Sequence, residues 1–171
     1  MREGPKFFGI YRGTVVNNID PMQTGRIMAM VPDVGSITPS TWAMPSVPLA
    51  GKQMGTFMVP QIGAGVWIQF EAGDPDYPVW TGGWWGDAAE VPALALAGVP
   101  GDANIVMQTM LQNSIVLSDL PGPTGGIMLK STTGATIIVN DTGIYIQNGQ
   151  GASIVMAGPS VTINAGALVV I

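Results

Sequence analysis

Six pairs of large apolar residues, each pair split by a single residue, dominate the last 69 residues: Ile127/Leu129, Ile137/Val139, Ile144/Ile146, Ile154/Met156, Val161/Ile163 and Leu168/Val170. First members are separated by 10, 7, 10, 7 and 7 residues, so Ile127, Ile144 and Val161 stand 17 apart, as do Ile137, Ile154 and Ile171. Alternation at period two marks a half-buried strand, and repetition at fixed spacing marks a solenoid or β-helix. Each unit is only 7–10 residues, one strand and one bend. Single-chain solenoids need turns of about 18 residues or more. Glycines 125, 126, 134, 143, 149, 151, 158 and 166 fall where bends are required.

One such chain encloses only a fraction of a core, and bare strand edges invite aggregation. Three copies about a common axis would each supply a face in turn and pair their lateral edges between chains. The pattern therefore predicts a homotrimer whose core is Ile127, Leu129, Ile137, Val139, Ile144, Ile146, Ile154, Met156, Val161, Ile163, Leu168 and Val170. Seven strands stacked at about 4.8 Å give a body about 35 Å long. Asn, Thr, Ser and Gln are left for its outer face.

Charge is scarce where the repeats run. From Ala103 onward only Asp119, Lys130 and Asp141 are charged, and residues 151–171 carry no charge. The whole chain is 10% charged, against about 25% in typical soluble domains. Six Lys and Arg against eleven Asp and Glu give a net charge of −5. That disfavours nucleic acid, which needs cations to displace counterions. Cys and His are both absent, which removes disulfides and Ser-His or Cys-His catalysis, and no cofactor or metal site is expected. No apolar run approaches the roughly 20 residues of a membrane-crossing helix. The start, MREGPKFFGIYRG, is too short and too interrupted for a secretory signal.

Composition changes near residue 90. Eleven of the twelve aromatic residues lie at or before Trp85, and Tyr145 alone follows. The expected organisation is a first domain over 1–87, a linker over 88–102 rich in Ala, Pro and Gly, and a second domain over 103–171. In the first, GIYRGTVVNN (9–18), GRIMAMVP (25–32), GAGVWIQFEAG (63–73) and VWTGGWW (79–85) read as strands. Ile27, Ala29 and Val31 share one face; Val66, Ile68 and Phe70 share another. With a long insertion at 33–62, of no readable role, this is the inventory of an OB-like barrel.

Candidate chemistry is sparse. Glu71, Asp74 and Asp76 read as hairpin-turn residues rather than a carboxylate cluster or calcium loop. Trp80, Trp84 and Trp85 could suggest a sugar platform, but adjacent Trp84 and Trp85 point to opposite faces and form no flat surface; one of those two is expected inside the barrel and the other at an inter-subunit or domain junction. Gly82, Gly83 and Gly86 lack the Lys-Ser/Thr of a phosphate loop. Eleven Met read as gap-fillers in shared cores. Arg12, Arg26 and Lys52 read as local ion pairs or contacts to a partner. The sequence gives no catalytic residue.

GTVVNNIDPMQTGRIMAMVP (13–32) and FMVPQIGAGVWIQFEAGDPDYPVWTGGWW (57–85) resemble the opening of central-spike proteins of contractile phage tails and injection machines. That group comprises the phage baseplate assembly protein V family and VgrG-like spikes. SIVLSDLPG (114–122), GATIIVNDTGIYIQ (134–147) and ASIVMAGPSVTINA (152–165) resemble the triple-stranded β-helix that follows in the same family. The resemblance implies an all-β homotrimer, with an N-terminal OB-fold barrel and a C-terminal intertwined triple-stranded β-helix, or needle. It implies a structural, non-enzymatic spike below the tail tube, contacting baseplate hub or tail-tube-end proteins and piercing the target envelope when the sheath contracts. It places the protein in a virion baseplate or injection particle, made in the producing cell's cytoplasm.

Two departures from larger relatives follow. About 15 residues between the domains leave no room for a muralytic insert, and no His-x-His is present to hold an apical iron. Val169, Val170 and Ile171 are therefore expected to form a docking platform for a separate tip protein of the PAAR-like kind. The competing reading is a β-solenoid that binds or processes polysaccharide. It needs acidic or basic residues along a groove, and Asp119, Lys130 and Asp141 are too scattered for that.

Overall fold

Short β-branched and aromatic runs broken by Gly and Pro favour strands over helices, and helix is nearly absent. In the first unit the order is β1 (Tyr11–Asn17), β2 (Met28–Met30), one helical turn α1 (Pro32–Gly35), β3 (Met44–Pro45), β4 (Ala50–Gly51), β5 (Met54–Gly55), β6 (Gly65–Phe70) and β7 (Pro78–Trp84). This computed structural model describes residues 4–35, 37–101 and 104–170. The chain divides into two compact units at Ala88/Ala89.

β1 pairs antiparallel with β2 on one side and β6 on the other, and β6 pairs with β7. The insertion closes the ring. β3 runs parallel to β7, while the residues just before it bridge to the β2 side through Met30–Pro39 and Ile27–Ala43. Residues 39–45 thus act as the fifth stave of an OB-type barrel. Inside sit Val15, Ile27, Ala29, Val31, Ala43, Val66, Ile68, Phe70 and Trp80. Gly13 lies over Ile68, where a Cβ would come within 3.0 Å of Ile68 Cγ1.

The indole in the barrel is that of Trp80, not Trp84 or Trp85. Trp80 is 7% exposed and its Nε1 donates to the Gly25 carbonyl at 3.0 Å. A buried indole needs such a partner for its N–H. Trp84 instead lies beside Trp67 on the barrel wall, with Arg12 over both rings. Trp85 is 63% exposed.

The second unit is a run of eight strands: β8 (Ile105–Gln108), β9 (Ser114–Ser118), β10 (Gly126–Lys130), β11 (Thr136–Asn140), β12 (Gly143–Gln147), β13 (Ser153–Ala157), β14 (Ser160–Ile163) and β15 (Leu168–Val170). Each pairs antiparallel with its neighbour in sequence, giving one continuous meander. The 17-residue spacing is therefore a hairpin period: strand, bend, strand, bend. Two-residue connections such as Asp141–Thr142 return the chain directly onto its own edge, the cheapest closure available. Gly126 shows why glycines mark these bends. Its φ is +85°, and a Cβ there would collide with the Val139 carbonyl oxygen.

Replacing Ile68, which is fully buried, with Ala removes the centre of the barrel core. Urea unfolding followed by tryptophan fluorescence should show a loss of about 2–5 kcal/mol. A loss below about 1 kcal/mol would mean that the barrel does not pack around this residue.

Candidate assembly interface

Cross-strand register converts the alternating sequence of the second unit into two parallel apolar columns. One runs Ile105, Leu117, Ile127, Val139, Ile144, Met156 and Val161, each opposite the next. The other runs Met107, Ile115, Leu129, Ile137, Ile146, Ile154, Ile163 and Leu168 in the same manner. Residues two apart on a strand face the same way, so both columns occupy one face. The backbone of Val170 pairs with that of Val161.

This face is left open in the single chain. Ile115, Leu117, Ile127, Leu129, Ile137 and Val139 are 41–49% exposed, and Ile105 is 67% exposed. Ile144, Met156, Val161 and Ile163 are half-buried. Monomeric soluble proteins rarely leave so long an apolar stripe uncovered.

The opposite face has one apolar column, Val106, Val116, Met128, Ile138, Tyr145 and Val155. A polar row flanks it, formed by Gln108, Ser114, Lys130, Thr136, Gln147 and Ser153. Lys130 sits directly across from both Ser114 and Thr136, whose hydroxyls are buried without a hydrogen-bond partner among the described residues. Asp119 lies beyond β9, and Asp141 accepts a hydrogen bond from the Gly122 N–H at 3.0 Å. None of the three charges of this region lies in the two-column face.

The structure brings eleven of the twelve expected inward residues into that one face, and the backbone of Val170 pairs with that of Val161. Four residues absent from the expectation join them: Ile105, Met107, Ile115 and Leu117. Their strands alternate as clearly as the others. The 119–125 connection, with Pro121 and Pro123, breaks the repeat spacing that drew attention to the rest. Of the expected tip platform, Val169 pairs with Thr162 and Val170 with Val161; Ile171 lies outside the described residues.

A second exposed apolar surface belongs to the barrel unit. Ile19, Met22, Phe57, Met58 and Ile62 are each more than half exposed. Asn18 Nδ2 donates to the Pro60 carbonyl at 3.0 Å, joining the 18–25 loop to the 57–62 segment. Asp20 organises that loop. Its carboxylate accepts from the Met22 and Thr24 N–H groups, the Thr24 hydroxyl and the Arg26 N–H, and binds the Arg26 guanidinium at 2.6 Å. The Arg26 guanidinium, aided by these backbone donors and opposed by desolvation, holds the Asp20 carboxyl far below the usual carboxylate range. Arg26 also lies over the Trp42 ring.

The acidic 71–76 stretch is spent on its turn. Asp74 Oδ1 accepts the Asp76 N–H at 3.1 Å, the Asp74 carbonyl accepts the Tyr77 N–H, and Lys6 pairs with Asp74 at 3.4 Å. Among the described residues no group of three or more acidic side chains is placed to hold a metal ion.

A closed OB-type barrel followed by a sheet with one open, uncharged apolar face defines a structural, self-associating β-protein. Comparison with family models agrees in both units. Residues 11–85 match the type VI secretion system/phage-baseplate injector OB domain, and residues 104–169 match the phage baseplate V C-terminal trimerisation domain. With both domains present in order over most of its length, the chain belongs to the phage baseplate V family of spike proteins. Its second unit is a trimerisation domain, and its role is a structural one in a phage baseplate or related injection system. A search of curated proteins returned no match.

The depressed Asp20 carboxyl sets a pH signature. Its contribution to stability is fully present above the unfolded carboxylate pKa and is lost as pH falls through the lower folded value. Asp20→Ala should therefore lower the melting temperature by an amount that is flat above about pH 5 and shrinks progressively in stronger acid. A difference that varied between pH 6 and pH 8 would contradict the assignment of this carboxylate as the organiser of the loop.

Proposed function

We propose that the chain is the central spike of a contractile tail or injection particle, working as a homotrimer without enzymatic activity of its own. The second unit is its needle, and the barrel unit attaches it below the tail tube. When the sheath contracts, the needle is driven through the target envelope. The observation that carries this reading is the uncharged two-column face, which needs further copies to cover it.

The physical demands of puncture suit this chain. Each aliphatic side chain on the face, about half exposed alone, gains about 1 kcal/mol when covered, so a trimer accumulates many small contributions that no single contact can unlock. Few charges on the wall leave few strong attachment points during passage. The exposed Ile19, Met22, Phe57, Met58 and Ile62 surface gives the barrel an apolar contact for hub or tube-end proteins. In the second unit, the outer edge of β15 is the proposed contact for a separate tip protein of the PAAR-like kind. The particle would be assembled inside the producing cell from chain made in its cytoplasm.

The competing polysaccharide reading loses its structural basis. It needs a coiled single-chain solenoid with a charged groove, and the strands form a meander with an uncharged face instead.

Replacing Ile154 with Asp would place three charges in one desolvated layer, which no local group neutralises. Particles purified from cells making Ile154→Asp should lack this chain and fail to permeabilise target cells, whereas wild-type particles carry it and succeed. Normal incorporation and normal killing by the variant would overturn the proposal.

A further inference from the structure

We infer that Arg12, held over the indoles of Trp67 and Trp84, is a preformed receptor for a carboxylate side chain of a separate protein to which the barrel attaches. This adds a charged contact to the barrel's apolar one and rests on the attachment role proposed above.

Register builds the receptor. Arg12 of β1 stands across from Trp67 of β6, which stands across from Gly82 of β7; Thr14, Gly65 and Trp84 form the next row in the same way. Val66 and Ile68, which alternate with Gly65 and Trp67, are buried in the barrel, so both rows face outward. Glycine at 65 makes room for the second indole, since a Cβ there would come within 2.6 Å of the Trp84 ring. Trp84 Nε1 donates to the Val66 carbonyl at 3.2 Å, which fixes that ring on the sheet. Trp67 lies beside it, with ring centroids 6.3 Å apart. The Arg12 guanidinium carbon is 5.7 Å from the Trp67 centroid and 5.2 Å from that of Trp84.

Three cations were expected to make local ion pairs or partner contacts, and they divide. Arg26 is committed within the chain, to Asp20. Lys52, between β4 and β5, has no aromatic ring beneath it among the described residues. Arg12 is exposed, and its guanidinium has neither a hydrogen-bond nor an ion-pair partner among the described residues. The two rings hold its plane while its N–H fork stays open. That fork matches a carboxylate through two parallel hydrogen bonds, and stacking has already removed side-chain freedom that binding would otherwise have to remove. Arg and Trp are also the residues on which interface energy concentrates. Beyond Trp67 the sheet is bare: a Cβ on Gly82 would meet nothing within 4 Å, so a partner's backbone has room beside the ring.

Charge selects the occupant. Each copy of this chain carries a net charge of −5, so a neighbouring barrel would bring like charge toward this wall. A polyanion such as nucleic acid needs several cations to displace its counterions, and this niche holds one. A single carboxylate flanked by apolar side chains matches one guanidinium bordered by two indoles. Such a contact excludes water from the ion pair, where its hydrogen bonds are strongest.

Full-length wild type, Arg12→Ala and Arg12→Lys test the inference, each measured as purified protein and as mean content per purified particle. Arg12→Ala should keep the wild-type mass and melting temperature, yet its content per particle should fall about tenfold or more. Arg12→Lys keeps the charge without the planar fork, and its content should also fall. In the particles that retain it, a carbodiimide should join the introduced amine to the partner's carboxylate, giving an adduct with a different protein by mass spectrometry. Wild-type content for Arg12→Ala would overturn the inference. A loss accompanied by a lower melting temperature would do the same, because Arg12 would then only brace the indoles. An adduct between two copies of this chain, or no adduct, would also overturn it. Absence of the wild-type chain from particles would instead overturn the attachment reading beneath it, so the two failures are distinguishable.

Discussion

The cross-strand contact between aliphatic residues on consecutive strands, such as Ile137 with Ile146 and then Ile146 with Ile154, is what the rest of the molecule depends on. It fixes register, because a slip of one residue would turn every apolar side chain to the wrong face. Once register is fixed, both columns lie on one side of a sheet whose internal hydrogen bonds are already made. The backbone asks for little more, but the side chains still need cover. Association through that face follows from this division, and the family's trimerisation domain is the form it takes here.

The barrel follows a different logic. Its five staves surround a core of its own, built on Ile27, Ile68, Val66 and Val15, so it needs no second copy to bury its centre. What it exposes lies in loops, where Asp20 and Arg26 hold the chain in a fixed shape beside Phe57 and Met58. One unit is thus closed and presents loops, while the other is open and presents a face. A spike needs both properties, an anchor that is shaped on its own and a shaft that exists only as an assembly.

Much of this was legible in the sequence, for identifiable reasons. Val66, Ile68 and Phe70 alternate without interruption and are buried or nearly so. The pairs from Ile127 to Ile163, with Leu168, fall on one face because period two specifies a face. Period two does not by itself specify a partner; the expectation of pairing between chains came from the shortness of each strand-and-bend unit. The closing segment 39–45, PSTWAMP, was unreadable because two prolines and no alternation hide a strand that makes few ladder bonds. Trp80 was overlooked for Trp84 and Trp85, since only the fold reveals that its N–H can reach the Gly25 carbonyl. Ile105, Met107, Ile115 and Leu117 alternate well but sit outside the regular spacing.

The account stands or falls on the state of the intact chain in solution, read most directly as its mass by light scattering after gel filtration. It predicts one monodisperse species near three times 17.7 kDa, present across the accessible concentration range. A stable monomer of 17.7 kDa would mean that the two-column face is covered within one chain, and the spike built on that face would have to be abandoned.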